Sequence, residues 1–307
     1  VFGVTVNQNN FLGTGDRVSA QLNTGKINTT YALSYTDPYF TPDGVSRGFD
    51  VYRRDVNSGN GVTNNIGTFN TSSYGGGVRF GIPLNERDGV SFGLALDLTD
   101  ITLFEDSPIQ YQEFCGNTIG PWPQNCTSHS VALSAGWSHD SRDSIMYTKN
   151  GVYQRLSAEV TLPVLDLQYY KINYKHSYYK EVLNDLTLLL NGELGYANNY
   201  GDKQYPFFKN FFMGGVNSVR GYAIGAMGPM GGINNNQFFI GGTQSALGSM
   251  ELFFPVPGIK DSKQFRLSTF VDSGYVWGSN QTPDPKDLRY TTGVGVSWFS
   301  PFGPLKL

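Results

Sequence analysis

Side chains alternate in class along YTTGVGVSW. Tyr290, Thr292, Val294, Val296 and Trp298 fall on one face of an extended strand, and the small residues Thr291, Gly293, Gly295 and Ser297 fall on the other. The same split recurs where Val131, Leu133, Ala135 and Trp137 oppose Ala132, Ser134, Gly136 and Ser138, and where Tyr170, Ile172 and Tyr174 oppose Lys171, Asn173 and Lys175. No helical period of 3.6 persists anywhere. The alternation predicts strands near residues 1–7, 16–24, 27–37, 46–57, 72–83, 89–99, 129–140, 152–161, 168–180, 185–196, 243–254, 265–276 and 288–299, with a fourteenth from Pro304. A soluble sandwich uses strands of about five or six residues with the apolar face inward. Many segments here reach the roughly ten residues that a tilted strand needs to cross a bilayer. The expected fold is therefore all-β, a transmembrane antiparallel barrel, with Trp277, Trp298 and Tyr196 suited to an interfacial girdle.

Composition agrees. The 307 residues suffice for one large β domain, spanning 1–307; only 15% are charged, while Gly numbers 38, Tyr 19 and Phe 21, an aromatic-rich mixture that fits a barrel better than a helical protein. No run approaches the roughly 18 apolar residues of a transmembrane helix. A formal net charge of -3 supplies no basic field, which argues against nucleic acid as a partner. Val1 lies inside a predicted strand, so the lack of a leader segment means nothing.

Connections alternate in length. Long polar ones near 58–71, 100–128, 197–242 and 277–287 fall on one side, and shorter turns at 82–88, 181–184, 255–264 and 300–303 on the other. Short links at 25–26 and 162–167, and longer ones at 37–44 and 141–151, make this a tendency. Long loops outside and short turns inside is the outer-membrane pattern. Cys115 and Cys126 both lie in CGNTIGPWPQNC. Two thiols are too few ligands for a metal and no histidine stands at ligand spacing, so no metal is expected. A disulfide is, contributing roughly 3 kcal/mol to loop order in an oxidising compartment.

The stretch 197–242 is too long for a hairpin link, and its aromatics and glycines argue against disorder. Its centre, FFMGGVNSVRGYAIGAMGP, carries one cation, Arg220, between Val219 and Gly221-Tyr222, with Gly214-Gly215 just upstream. Glycines permit a tight loop tip, and a guanidinium fork can engage two carboxylates. In the next two strands, Met250, Leu252 and Phe254 put Glu251 on the opposite face, and Leu267, Thr269 and Val271 do the same for Asp272.

VRGY after a Gly-Gly pair, with PFFKNFFMGGVNS before it and SMELFFP, FVDSGYVW and WFSPFGPLKL beyond, resembles the signature of the Omp85 superfamily, in particular its barrel-assembly branch. The likeness covers nearly the whole chain and is specific mainly in 205–229, 248–277 and 298–305. It implies a barrel of 16 strands in the bacterial outer membrane, about 13–14 of them present here, with 197–242 folded into the lumen. It implies that Glu251 and Asp272 hold Arg220 there. It also implies an insertase that folds other barrel proteins into that membrane by strand templating at a lateral seam. The implied partners are unfolded outer-membrane proteins, accessory lipoproteins of an assembly complex and outer-membrane lipid; no cofactor is implied. On this resemblance the N-terminal POTRA domains and the first and last strands lie outside the chain. Two-partner-secretion and TamA-like translocation pores share the loop motif. A passive porin is the remaining alternative, with Lys171, Lys175 and Arg155 as its charged lining.

No enzymatic constellation is expected. His129, His139 and His176 are scattered, His139-Asp140 is the only suggestive pair, and neither a GxSxG elbow nor a phosphate loop occurs.

Overall fold

The computed structural model describes residues 2–25, 28–58, 66–116, 121–145, 147–233, 236–256, 265–279, 281–300 and 303–306. The wall is one antiparallel meander of 14 strands. In chain order these are β1 (Phe2–Asn9), β2 (Arg17–Thr24), β3 (Asn28–Asp37), β4 (Ser46–Asn57), β5 (Phe69–Pro83), β6 (Asp88–Leu103), β7 (Gln124–Asp140), β8 (Gly151–Thr161), β9 (Tyr169–Leu183) and β10 (Leu186–Asn199). After the hairpin β11 (Met230–Ile233) and β12 (Asn236–Phe239), which pair only with each other, come β13 (Gln244–Pro255), β14 (Phe265–Trp277), β15 (Arg289–Ser300) and β16 (Gly303–Lys306). Among the described residues no pairing joins β1 to β16.

The alternation sorts lipid from lumen. On β6, Phe92, Leu94, Leu96 and Leu98 are exposed, while Thr99 between them and the strand end is buried. Leu133, Ile172, Val271, Val294 and Trp298 are likewise exposed, whereas Ser128, Ser130, Ser177, Glu251 and Asp272 are buried. An exposed apolar belt and a buried polar lining invert a soluble core and match a bilayer-spanning wall. Inside, strands β4 to β9 surround a cavity of about 1050 Å3 whose lining includes Arg54, Arg155, Glu159, Lys171 and Lys209.

Several expected connections are shorter than their sequence suggested. β6 runs on to Leu103 and β7 begins at Gln124, so the long connection expected over 100–128 is confined to 104–123. Ile101 and Leu103 are buried because that connection and the long 200–243 segment pack over them. Within 104–123 sits a helix the sequence did not announce, α1 (Ile109–Phe114), too short at six residues to register a period. Phe207 stacks on Tyr111 at 4.0 Å, and Phe69 meets both rings edge-on at 5.2 and 5.4 Å. This aromatic plug joins two connections to the start of β5 at the long-loop end of the wall. Of the expected links, residues 26, 59–65, 117–120, 146, 234–235, 257–264, 280 and 301–302 lie outside the described set.

Candidate functional site

The tip of the 200–243 segment is a compact turn. The Gly215 N–H donates to the Tyr222 carbonyl at 2.9 Å, and the Gly214 N–H donates to Ser218 Oγ at 2.8 Å. Gly214 and Gly215 have φ of 115° and 94°, the left-handed region that side chains strain to enter, and a Cβ on Gly214 would strike the Ala223 carbonyl. Val219, fully buried, packs with Met213, Met227, Leu247 and Val276, and Tyr222 leans on the same cluster. That packing sets Arg220 against the wall.

The Arg220 guanidinium is bidentate on Asp272: Nε donates to Oδ2 at 2.6 Å and Nη2 to Oδ1 at 2.7 Å. Its backbone N–H adds a bond to Oδ2 at 3.2 Å, and Ser249 Oγ donates to Oδ1 at 2.6 Å. Nη1 lies 3.2 Å from Glu251 Oε2. The Asp272 side chain is 0% exposed and that of Glu251 7%, so the pairing is shielded from water. Desolvating two carboxylates is costly, and the several donors on Asp272 are what offset it. Beneath the guanidinium lies the Phe270 ring, 3.4 Å from Cζ to centroid, a cation-π contact. Gly293 on β15 leaves room for that ring, since a Cβ there would come within 2.6 Å of it.

The fold brings Arg220, Glu251 and Asp272 together, on the face that alternation assigned to the two carboxylates. Ser249 and Phe270 were not singled out in the sequence, although each shares a strand face with one of the carboxylates, so the parity that marked Glu251 and Asp272 also marks them. Gly221, with φ of 89°, sits against Thr291 of β15. The tip therefore touches β13, β14 and β15 at once.

Elsewhere, Cys115 and Cys126 form a disulfide that ties α1 to the start of β7. His139 Nδ1 is 2.9 Å from Asp88, not Asp140, whose carboxylate holds Arg142 instead. The pair suggested by adjacency does not exist, because neighbours on a strand point to opposite faces. His129 meets Asp166 at 2.9 Å and His176 meets Gln154 at 3.1 Å. Of the cations named as a charged lining, Lys175 pairs with Glu193, and Lys171 donates to the Lys209 carbonyl at 2.8 Å and lies 4.1 Å from the Phe211 ring centre, while Arg155 and Lys171 both border the cavity between β4 and β9.

A wall apolar outside and polar inside, with a long segment latched within it by a bidentate arginine, defines a transmembrane barrel carrying a lumen-inserted loop. The chain belongs to the Omp85 superfamily, whose domain matches residues 10–307. It is 34% identical to the outer membrane protein assembly factor BamA of Neisseria meningitidis, a match covering 100% of this chain and 42% of that protein. The crystal structure of BamA from Haemophilus ducreyi lacking POTRA domains 1–3 superposes with a TM-score of 0.90 at 28% identity, over 99% of this chain and 62% of that one. The human sorting and assembly machinery component 50 homolog is 23% identical over 94% of this chain and 60% of its own length. The chain thus spans less than two thirds of each of these relatives. With its bacterial relatives and their barrel, it is a β-barrel protein of the bacterial outer membrane.

Proposed function

We propose that this barrel is the membrane domain of an insertase that folds and inserts other β-barrel proteins into the outer membrane. The observation that carries the reading is the latch: a loop tip bearing VRGY, fixed by Arg220 to Asp272 and Glu251 and touching three consecutive strands near one end of the sheet. The names of the relatives, assembly factor and assembly machinery component, support the same class. In this reading the latch keeps β13 to β15 in one alignment while the seam beyond them opens. An unfolded strand then pairs with the exposed edge, which lipid favours because every unpaired backbone group there costs several kcal/mol. Unfolded outer-membrane proteins are the substrates, and accessory lipoproteins and membrane lipid the further partners. The wall chemistry requires no cofactor and no covalent step.

Depletion of the full-length protein in its own cell, followed by quantification of every outer-membrane barrel, tests this. A general fall with unfolded barrels accumulating in the periplasm is expected. Loss of one secreted protein, or a change in solute permeability alone, would replace the insertase with a dedicated secretion pore or a porin.

A further inference from the structure

The outward face of β3 to β6 carries a depression of about 590 Å3 whose exposed lining is almost wholly apolar. At its centre one side chain is missing. Across the strands, Leu33, Val51, Gly76 and Leu96 form a row in register, so the gap at Gly76 lies between Val51 and Leu96. Strands flanking a central one stand about 10 Å apart, wide enough for a hydrocarbon chain. Gly75 and Gly77, on either side, face inward and are demanded by the protein itself: a Cβ on Gly75 would strike the Tyr52 ring, and one on Gly77 would come within 2.7 Å of the Leu94 carbonyl. Gly76 is different. A Cβ there would meet only ordinary contacts, at 3.4 and 3.9 Å, so no packing inside the chain accounts for it.

The next row toward the long-loop side is Tyr31, Arg53, Tyr74 and Leu98. Among the described strand residues, Arg53 is the one lysine or arginine pointing outward in that half of the wall. Asp55 takes its Nε edge at 3.1 and 3.2 Å and is itself held by Ser72 at 2.5 Å, while the Tyr74 ring lies 5.1 Å from Cζ. The terminal nitrogens have no protein partner among the described residues, and Asp100 is the other outward carboxylate nearby. Long connections mark the outer face of such a barrel, and one pleat further that way the outward residues turn polar at Asp55, Ser72 and Asp100, so this row is the outer edge of the apolar belt.

We propose that the Gly76 depression seats one acyl chain of a phosphate-bearing glycolipid of the outer leaflet, with its phosphate on the free edge of Arg53. Lipid must cover this face in any case; the groove and the cation together select a chain with an anionic head above it.

The test uses the full-length protein in nanodiscs of phosphatidylethanolamine doped with lipid A, transferred to detergent, with retained lipid counted by native mass spectrometry. Wild type is expected to keep one lipid A. Gly76→Leu, which fills the groove, and Arg53→Gln, which removes the cation, should each lower retention roughly fivefold or more, while Leu133→Ala on a neighbouring strand leaves it unchanged. Folding of each variant is checked by heat-modifiable gel migration, and Gly76→Leu stands alone should Arg53→Gln misfold. Undiminished retention in Gly76→Leu would overturn the proposal. So would retention of phosphatidylethanolamine in place of lipid A.

Discussion

The long segment 200–243 is fastened at two places by opposite physics. Near its start, Phe207 is buried among Phe69, Ile101, Leu103 and Tyr111, a contact made of rings and methyl groups. Near its middle, Arg220 is held by two carboxylates, of which Asp272 is oriented by bonds from both Arg220 and Ser249. Apolar burial is non-directional and tolerates small shifts of the partner surface. The bidentate pair is directional: it holds only while β13 and β14 stay in register, with Ser249 opposite Asp272. The plug therefore anchors the segment, and the latch reports the alignment of the wall.

Phe207→Ala should have the largest effect, about 3–5 kcal/mol against the outer half of the segment, seen as a lowered unfolding temperature and faster amide exchange around α1. The latch should be untouched, because distant sites add independently. Exchange that also rises at 214–222 would break the distinction between the two anchors.

Asp272→Ala should come next, at about 3 kcal/mol, because it leaves Arg220 partly buried beside a single carboxylate. Arg220→Ala should open the same region, read as new protease cleavage near Gly214 with the plug still protected. Unchanged cleavage in both variants would mean that the packing of Val219 alone holds the tip.

Reducing Cys115–Cys126 should loosen α1, and with it the plug, by roughly 2–3 kcal/mol in the loop-entropy account, since the closed loop is short. Amide exchange at 109–114 measures it, and the latch again serves as the internal control.

Smallest is Glu251→Gln, at about 1 kcal/mol. It removes one charge but keeps a hydrogen-bond acceptor opposite Nη1, while the bidentate contact to Asp272 remains. A loss as large as that of Asp272→Ala would show that both carboxylates act as one unit.

Most of the wall was readable from residue order. Strand alternation is local chemistry, repeated every second residue, and it located the strands as well as the inward facing of Glu251 and Asp272. The strand ends at Leu103 and Gln124 were not readable, because Ile101 and Leu103 are apolar on the lumen side and only the plug above them explains why. The His139-Asp140 adjacency misled for the converse reason: neighbours in sequence are opposed across a strand, and His139 found Asp88 on β6 instead.

Residue order, then, set the all-β class and the faces of the strands, since a period of two needs no knowledge of distant contacts, while the likeness of the VRGY stretch and its flanks to a known family pointed to Arg220 and its acidic partners. The aromatic plug, the supporting places of Ser249 and Phe270, and the groove at Gly76 were decided by folding. Each depends on which strands become neighbours and in what register, so that residues as far apart as Phe69, Tyr111 and Phe207 share one cluster. That pairing is a property of the strand register across the whole sheet, and no single stretch of the chain carries it.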